Sequence, residues 1–63
     1  MHEFDLPTMS CGHCVRAVTE AAQEVDPQAR VQVDLDRKRA QVESAQPRER
    51  FVEALKEAGY TPA

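Results

Sequence analysis

Apolar and polar residues alternate at the start of the chain. Phe4 and Leu6 fall between Glu3, Asp5 and Pro7, a period of two that predicts a strand over 2–7 buried on one face. Residues 8–13 include Ser10 and Gly12 and read as a loop. The period then changes. Val15, Val18, Ala22 and Val25 recur at helical spacing, with Ala17 and Ala21 widening the stripe, and Asp26-Pro27 ends that helix. Val31, Val33 and Leu35 alternate with Gln32, Asp34 and Asp36. After Arg37-Lys38-Arg39, Ala40 and Val42 alternate with Gln41 and Glu43, so the pattern predicts a hairpin turning at 37–39. Pro47 suits the first turn of a second helix with the stripe Phe51, Val52, Leu55 and Ala58, and Gly59 suits a left-handed stop just past its end. Residues 60–63 leave room for only a stub of a last strand, in which Pro62 is tolerated at a sheet edge.

The resulting order is βαββαβ, with every element apolar on one side. Those sides are buried together only if the two helices stack on the sheet as a second layer. That is the α+β ferredoxin-like two-layer sandwich with an antiparallel four-stranded sheet. Tracing the chain up and down through it brings the connections at 8–13, 37–39 and 59–60 to one end. The 63 residues make one domain, 1–63, near the lower limit at which a chain folds without a staple.

Charge and composition narrow the function. The net charge of −3, with acids and bases interleaved, argues against a nucleic-acid binder that gains affinity by neutralising phosphates. The longest apolar runs are a few residues, far short of the roughly 20 that span a bilayer, so no direct membrane insertion is expected. Residues 1–8 lack the basic start and apolar run of a secretory signal, and a cytoplasmic location is the expectation. Two cysteines are too few for a disulfide scaffold. In a reducing compartment a close pair points instead to metal binding or redox chemistry.

The pair lies in Met9-Ser10-Cys11-Gly12-His13-Cys14, between the first strand and the first helix. Cys11 is expected in the loop and Cys14 in or near the first helical turn, where unpaired amides and the helix dipole favour thiolates. Paired thiolates suit Cu(I), whereas structural zinc generally wants four ligands. A zinc site would need His2, His13 or a carboxylate in addition, and mercury or silver would also accept two sulfurs. The rival class is a dithiol redox protein or sensor. It is weakened because 63 residues fall short of a thioredoxin-like fold and no Trp or Pro flanks the cysteines.

These residues give the chain its resemblance. Met9-Ser10-Cys11-Gly12-His13-Cys14 matches the Met-x-Cys-x-x-Cys loop of the heavy-metal-associated (HMA) domains of bacterial copper chaperones and copper-transporting P-type ATPases, and Gly59-Tyr60 precedes the last strand as it does there. The resemblance covers nearly the whole chain. It implies Cys11 and Cys14 as ligands of Cu(I), Met9 as a buried prop of the loop and Tyr60 packed near the metal. It implies no enzymatic activity but transfer of the ion to a partner, such as the metal-binding domain of a copper-transporting P-type ATPase or a copper-responsive regulator. A metal-bridged homodimer and a module of a longer metal-transporting ATPase are further forms it admits. Two departures stand out: Thr8 occupies a position where family members often have Gly, and the last strand is short. Ser10, where zinc and cadmium relatives tend to carry an acid, leans toward copper.

The supporting residues each carry two readings. Met9 is a core-filling side chain or a third sulfur ligand. His13 is a solvent-facing residue of the helix start or a tuner of the site, and Tyr60 is a core lid or a shield over the ion. Arg37, Lys38 and Arg39 are an ordinary solvated turn or a basic docking patch at the metal end.

Overall fold

The structure is a computed structural model that describes residues 2–10 and 12–63, so the ligand expected at Cys11 lies outside the described residues. The elements are β1 (His2–Asp5), α1 (Gly12–Val25), β2 (Arg30–Asp34), β3 (Arg39–Glu43) and α2 (Arg48–Glu57). The sheet is antiparallel in the order β1-β3-β2. Its register aligns the apolar positions: Phe4 and Val33 both face Ala40, and His2 and Val31 both face Val42. Because side chains alternate across a strand, these residues share one face. The other face carries Glu3, Asp5, Arg39, Gln41, Gln32 and Asp34, with cross-strand contacts from Gln41 Nε2 to Glu3 Oε1 and from Arg39 Nε to Asp5 Oδ1, both at 3.0 Å.

The helices cover the apolar face. On α1 the buried residues are Cys14, Val18, Ala21 and Ala22, and on α2 they are Phe51 and Leu55. Both sets follow the three-to-four spacing of one helical face. With Phe4, Leu6, Met9, Ala29, Ala40 and Val42 they form one core cluster. Burying a side chain such as Phe4, Leu6, Phe51 or Leu55 contributes about 1.5–3 kcal/mol, a large share for a domain this small.

Three expectations change at the element ends. The hairpin turns over residues 35–38, not 37–39, and Lys38 takes a left-handed φ of 56°, so Leu35 leaves the strand and is the one large apolar side chain exposed among the described residues. Pro47 is the N-cap of α2, with extended backbone (φ −63°, ψ 146°), and α2 begins at Arg48. The expected fourth strand is not formed among the described residues, where the sheet has three. Pro62 has no N–H to add to a ladder, and the terminal segment meets β1 through a bond from Ala63 N–H to the Asp5 carbonyl at 2.8 Å.

The end of α2 follows the sequence signal. Gly59 N–H donates to the Lys56 carbonyl (3.0 Å) and Tyr60 N–H to the Leu55 carbonyl (2.8 Å), with Gly59 at φ 95°. These are the paired bonds of a Schellman stop, which need a residue tolerant of positive φ between them. They fix where Tyr60 leaves the helix, and Tyr60 packs against the core.

At the far end of α1, Asp26 follows the last helical residue, where the helix dipole disfavours an acid. Local bonds offset this. Ser44 Oγ donates to Asp26 Oδ2 at 2.6 Å and the Gln28 amide donates to Oδ1 at 3.0 Å, which together hold the carboxyl below its usual range. A folded-state value below the unfolded one adds stability above the unfolded pKa, and that stability is lost as pH falls through the folded value. Asp26→Asn should therefore flatten the acid limb of stability. Urea midpoints taken at pH 6 and pH 3 should fall less in the variant than in the parent, and equal falls would remove Asp26 from the account.

Candidate metal site

The site is built on the connection from β1 to α1. After β1 the backbone turns at once: Met9 N–H donates to the Leu6 carbonyl at 3.0 Å, closing a turn with Pro7 at the position its fixed φ suits. The turn points Leu6 and Met9 inward, and both are fully buried (0% exposed). Ser10 is exposed. On the far side of Cys11 the chain enters α1 at Gly12, and Cys14 lies in the first turn. Its side chain falls on the same helical face as Val18 and is 9% exposed, at the margin of the core. No acidic residue occupies the first turn of α1, so no carboxylate of that turn competes for its amides and positive dipole end.

The other expected site residues divide. Met9 sits within the core cluster that also contains Cys14. Tyr60 is half-buried and packed against that cluster. His13 is exposed. His2 is bonded elsewhere, its Nε2 donating to the Gln46 carbonyl at 2.8 Å, and its ring lies 5.5 Å from that of Phe51. Among the described residues no three His, Cys, Asp or Glu side chains group closely enough to hold an ion. A four-residue zinc cage would need three such residues even with Cys11 as the fourth, so this arrangement does not supply one.

The hairpin turn contributes contacts that the sequence does not reveal. Leu6 N–H donates to the Lys38 carbonyl at 2.8 Å, and Lys38 Nζ reaches the Pro7 carbonyl at 3.4 Å. The turn between β2 and β3 therefore buttresses the residues that lead into Met9, as the expected shared end requires. Its positive charge is partly engaged: Arg39 pairs with Asp5 at 3.0 Å and Arg37 approaches Asp34 at 3.9 Å. All four side chains are more than half exposed, so these pairs are worth little in stability.

Comparison with known proteins places this architecture. Among solved structures the chain is similar to a mutant of the copper chaperone Atx1 from Synechocystis PCC6803 in a trimeric form, with 40% identity, 100% of both chains covered and a TM-score of 0.96. It is similar to a cyanobacterial copper metallochaperone, ScAtx1, with 39% identity over 98% of this chain and 97% of that one and a TM-score of 0.81. It is also similar to a gold binding protein, with 30% identity over 95% of this chain and 92% of that one and a TM-score of 0.91. No curated protein sequence matches it significantly. Among the described residues no helix is long and apolar enough to cross a membrane. The profile of the heavy-metal-associated domain matches residues 3–61, nearly the whole chain, and the chain belongs to the heavy-metal-associated (HMA) domain family.

Proposed function

We propose that this chain, as one domain over 1–63, is a cytoplasmic copper chaperone that takes Cu(I) as cargo on Cys11 and Cys14 and passes it to a partner by stepwise thiolate exchange. The observation that carries the reading is the position of Cys14, in the first turn of α1 at the margin of the core, three residues after Cys11. A two-thiolate Cu(I) site has a net charge of −1, which the positive dipole end of α1 offsets. Soft thiolates select Cu(I) over hard cations, and the similarity to copper chaperones supports the same cargo. A low-coordinate site suits a carrier, because a third, incoming thiolate can join before one of the first two leaves.

The remaining residues support this role. Met9 is in the core, Tyr60 packs against it and His13 is exposed. In the proposed site Met9 props the loop, Tyr60 shields the ion and His13 follows the first ligand in sequence. Arg37, Lys38 and Arg39 lie at that end through the Lys38 contacts and steer a partner with an acidic rim, such as the metal-binding domain of a copper-transporting P-type ATPase. The test is a titration of the reduced protein with Cu(I) against a calibrated chelator, read with copper-edge spectroscopy. One ion per chain with sulfur-only first neighbours is expected, and a nitrogen- or oxygen-dominated shell would overturn the assignment.

A further inference from the structure

The two edges of the sheet differ. At β1 the terminal segment donates the Ala63 N–H to the Asp5 carbonyl, whereas β2 is paired with β3 on one side and with no described strand on the other. The ladder shows which β2 groups are unpaired. Leu6 N–H bonds the Lys38 carbonyl in the register of the β1 and β3 pairs, so Lys38, Ala40 and Val42 turn their main-chain groups toward β1. Alternation then turns those of Arg39, Gln41 and Glu43 toward Asp34, Gln32 and Arg30 of β2. The main-chain groups of Val31 and Val33 are left pointing outward along the bare edge.

Charged residues on an edge strand ordinarily keep other strands away. Here their order makes one exception. Arg30 and Asp34 stand symmetrically about Gln32 on the polar face, so an antiparallel copy of β2 centred on Gln32 sets each Arg30 opposite the other copy's Asp34. The same register lets Val31 exchange main-chain bonds with Val33 of the second copy and brings their half-buried side chains together on the apolar face. Across the polar face, Asp5, Arg39 and Asp34 already form a row of alternating sign, and this pairing continues it through Arg30 and Glu43 of the second copy. Shifting the register by two residues sets Gln32 opposite Asp34 or Arg30 and breaks that row.

We propose that the β2 edge is a self-association surface, on which a second copy of this chain pairs β2 to β2 about a two-fold axis through Gln32. The two hairpin turns, and the Met9 loops beside them, then lie at opposite ends of the joined sheet. This dimer is therefore independent of metal and of Cys11 and Cys14, unlike one bridged by an ion. An edge of five residues buries far less than the roughly 1,600 Å² of a standard interface, so association is weak and depends on concentration and salt.

The test uses the metal-free, reduced protein between about 0.05 and 2 mM at low salt, a range suited to a contact this small. Sedimentation should show a monomer–dimer equilibrium, and amide exchange at Val31 and Val33 should slow with concentration while that at Gln32, already paired to β3, stays constant. Arg30→Asp alone and Asp34→Arg alone set like charges opposite each other twice and should each weaken association roughly tenfold. Mixing the two variants should restore it as a heterodimer. Because Asp34 also accepts the Arg37 amide at 3.2 Å, thermal melts establish that both variants are folded, and the parent exchange data test the surface without any substitution. A parent that stays monomeric over this range, protection that does not rise at Val31 and Val33, or a mixture no more associated than its components would overturn the proposal.

Discussion

Cys14→Ser should abolish tight Cu(I) binding while leaving the domain folded. Serine keeps the approximate size of the side chain in the first turn of α1 and leaves the amides and dipole around it unchanged. The soft thiolate becomes a hard hydroxyl that does not ionise near neutral pH, so the proposed site would offer Cu(I) the Cys11 thiolate alone. The loss in affinity should exceed the roughly 10–100-fold that follows removal of an outer-shell partner of a metal site. Because Cys14 is already 9% exposed, at the core's margin and not its centre, the hydroxyl keeps access to solvent and the fold tolerates it. Chelator competition gives the affinity and circular dichroism gives the fold. Copper should raise the melting temperature of the parent through mass action and leave that of the variant unmoved. Full affinity in a folded Cys14→Ser protein would remove the thiolate pair from the mechanism, and Cys11→Ser should behave in the same way.

Much of the fold is legible because alternation and helical spacing are statements about which face is buried. Val31, Val33, Ala40 and Val42 share a face in the sheet as their period of two requires, and Val18, Ala22, Phe51 and Leu55 face the core as a helical stripe requires. The same logic fails at the ends of elements. Leu35 continues the alternation of β2, yet it is exposed in the turn, because Lys38 adopts a left-handed φ that hydrophobic pattern does not encode. Pro47 signals the start of α2, but its fixed φ serves the N-cap as well as the first helical residue. At the site, the sequence leaves two readings each for Met9 and Tyr60, and the structure buries Met9 and packs Tyr60 against the core. The buttress from Lys38 to Pro7 is not legible in the sequence, since it joins residues 31 apart and exists only once the sheet has formed.

Met9→Ala should lower the stability of the metal-free protein by about 2–5 kcal/mol, the usual range for truncating a buried methionine. Met9 is 0% exposed and lies in the same cluster as Phe4, Leu6, Val18, Phe51 and Leu55, and the turn that holds it is pinned by its own amide to the Leu6 carbonyl. Backbone held in this way relaxes little, so the cavity stays open and the effect falls toward the upper part of the range. A domain of 63 residues has a total stability of roughly 3–9 kcal/mol, so a measurable fraction of the variant should be unfolded at room temperature without metal. On the proposed site Cu(I) binds the folded form more tightly than the unfolded chain, whose thiolates still hold some copper, and should recover part of the loss. Urea unfolding of the apo and copper-loaded forms measures both effects. The copper-edge spectrum separates the two roles open to this side chain: a prop leaves two sulfur neighbours and their distances unchanged in Met9→Ala, whereas a ligand removes one scatterer. The burial of Met9 within the core supports the prop, and a lost sulfur signal in the folded, copper-loaded variant would refute it.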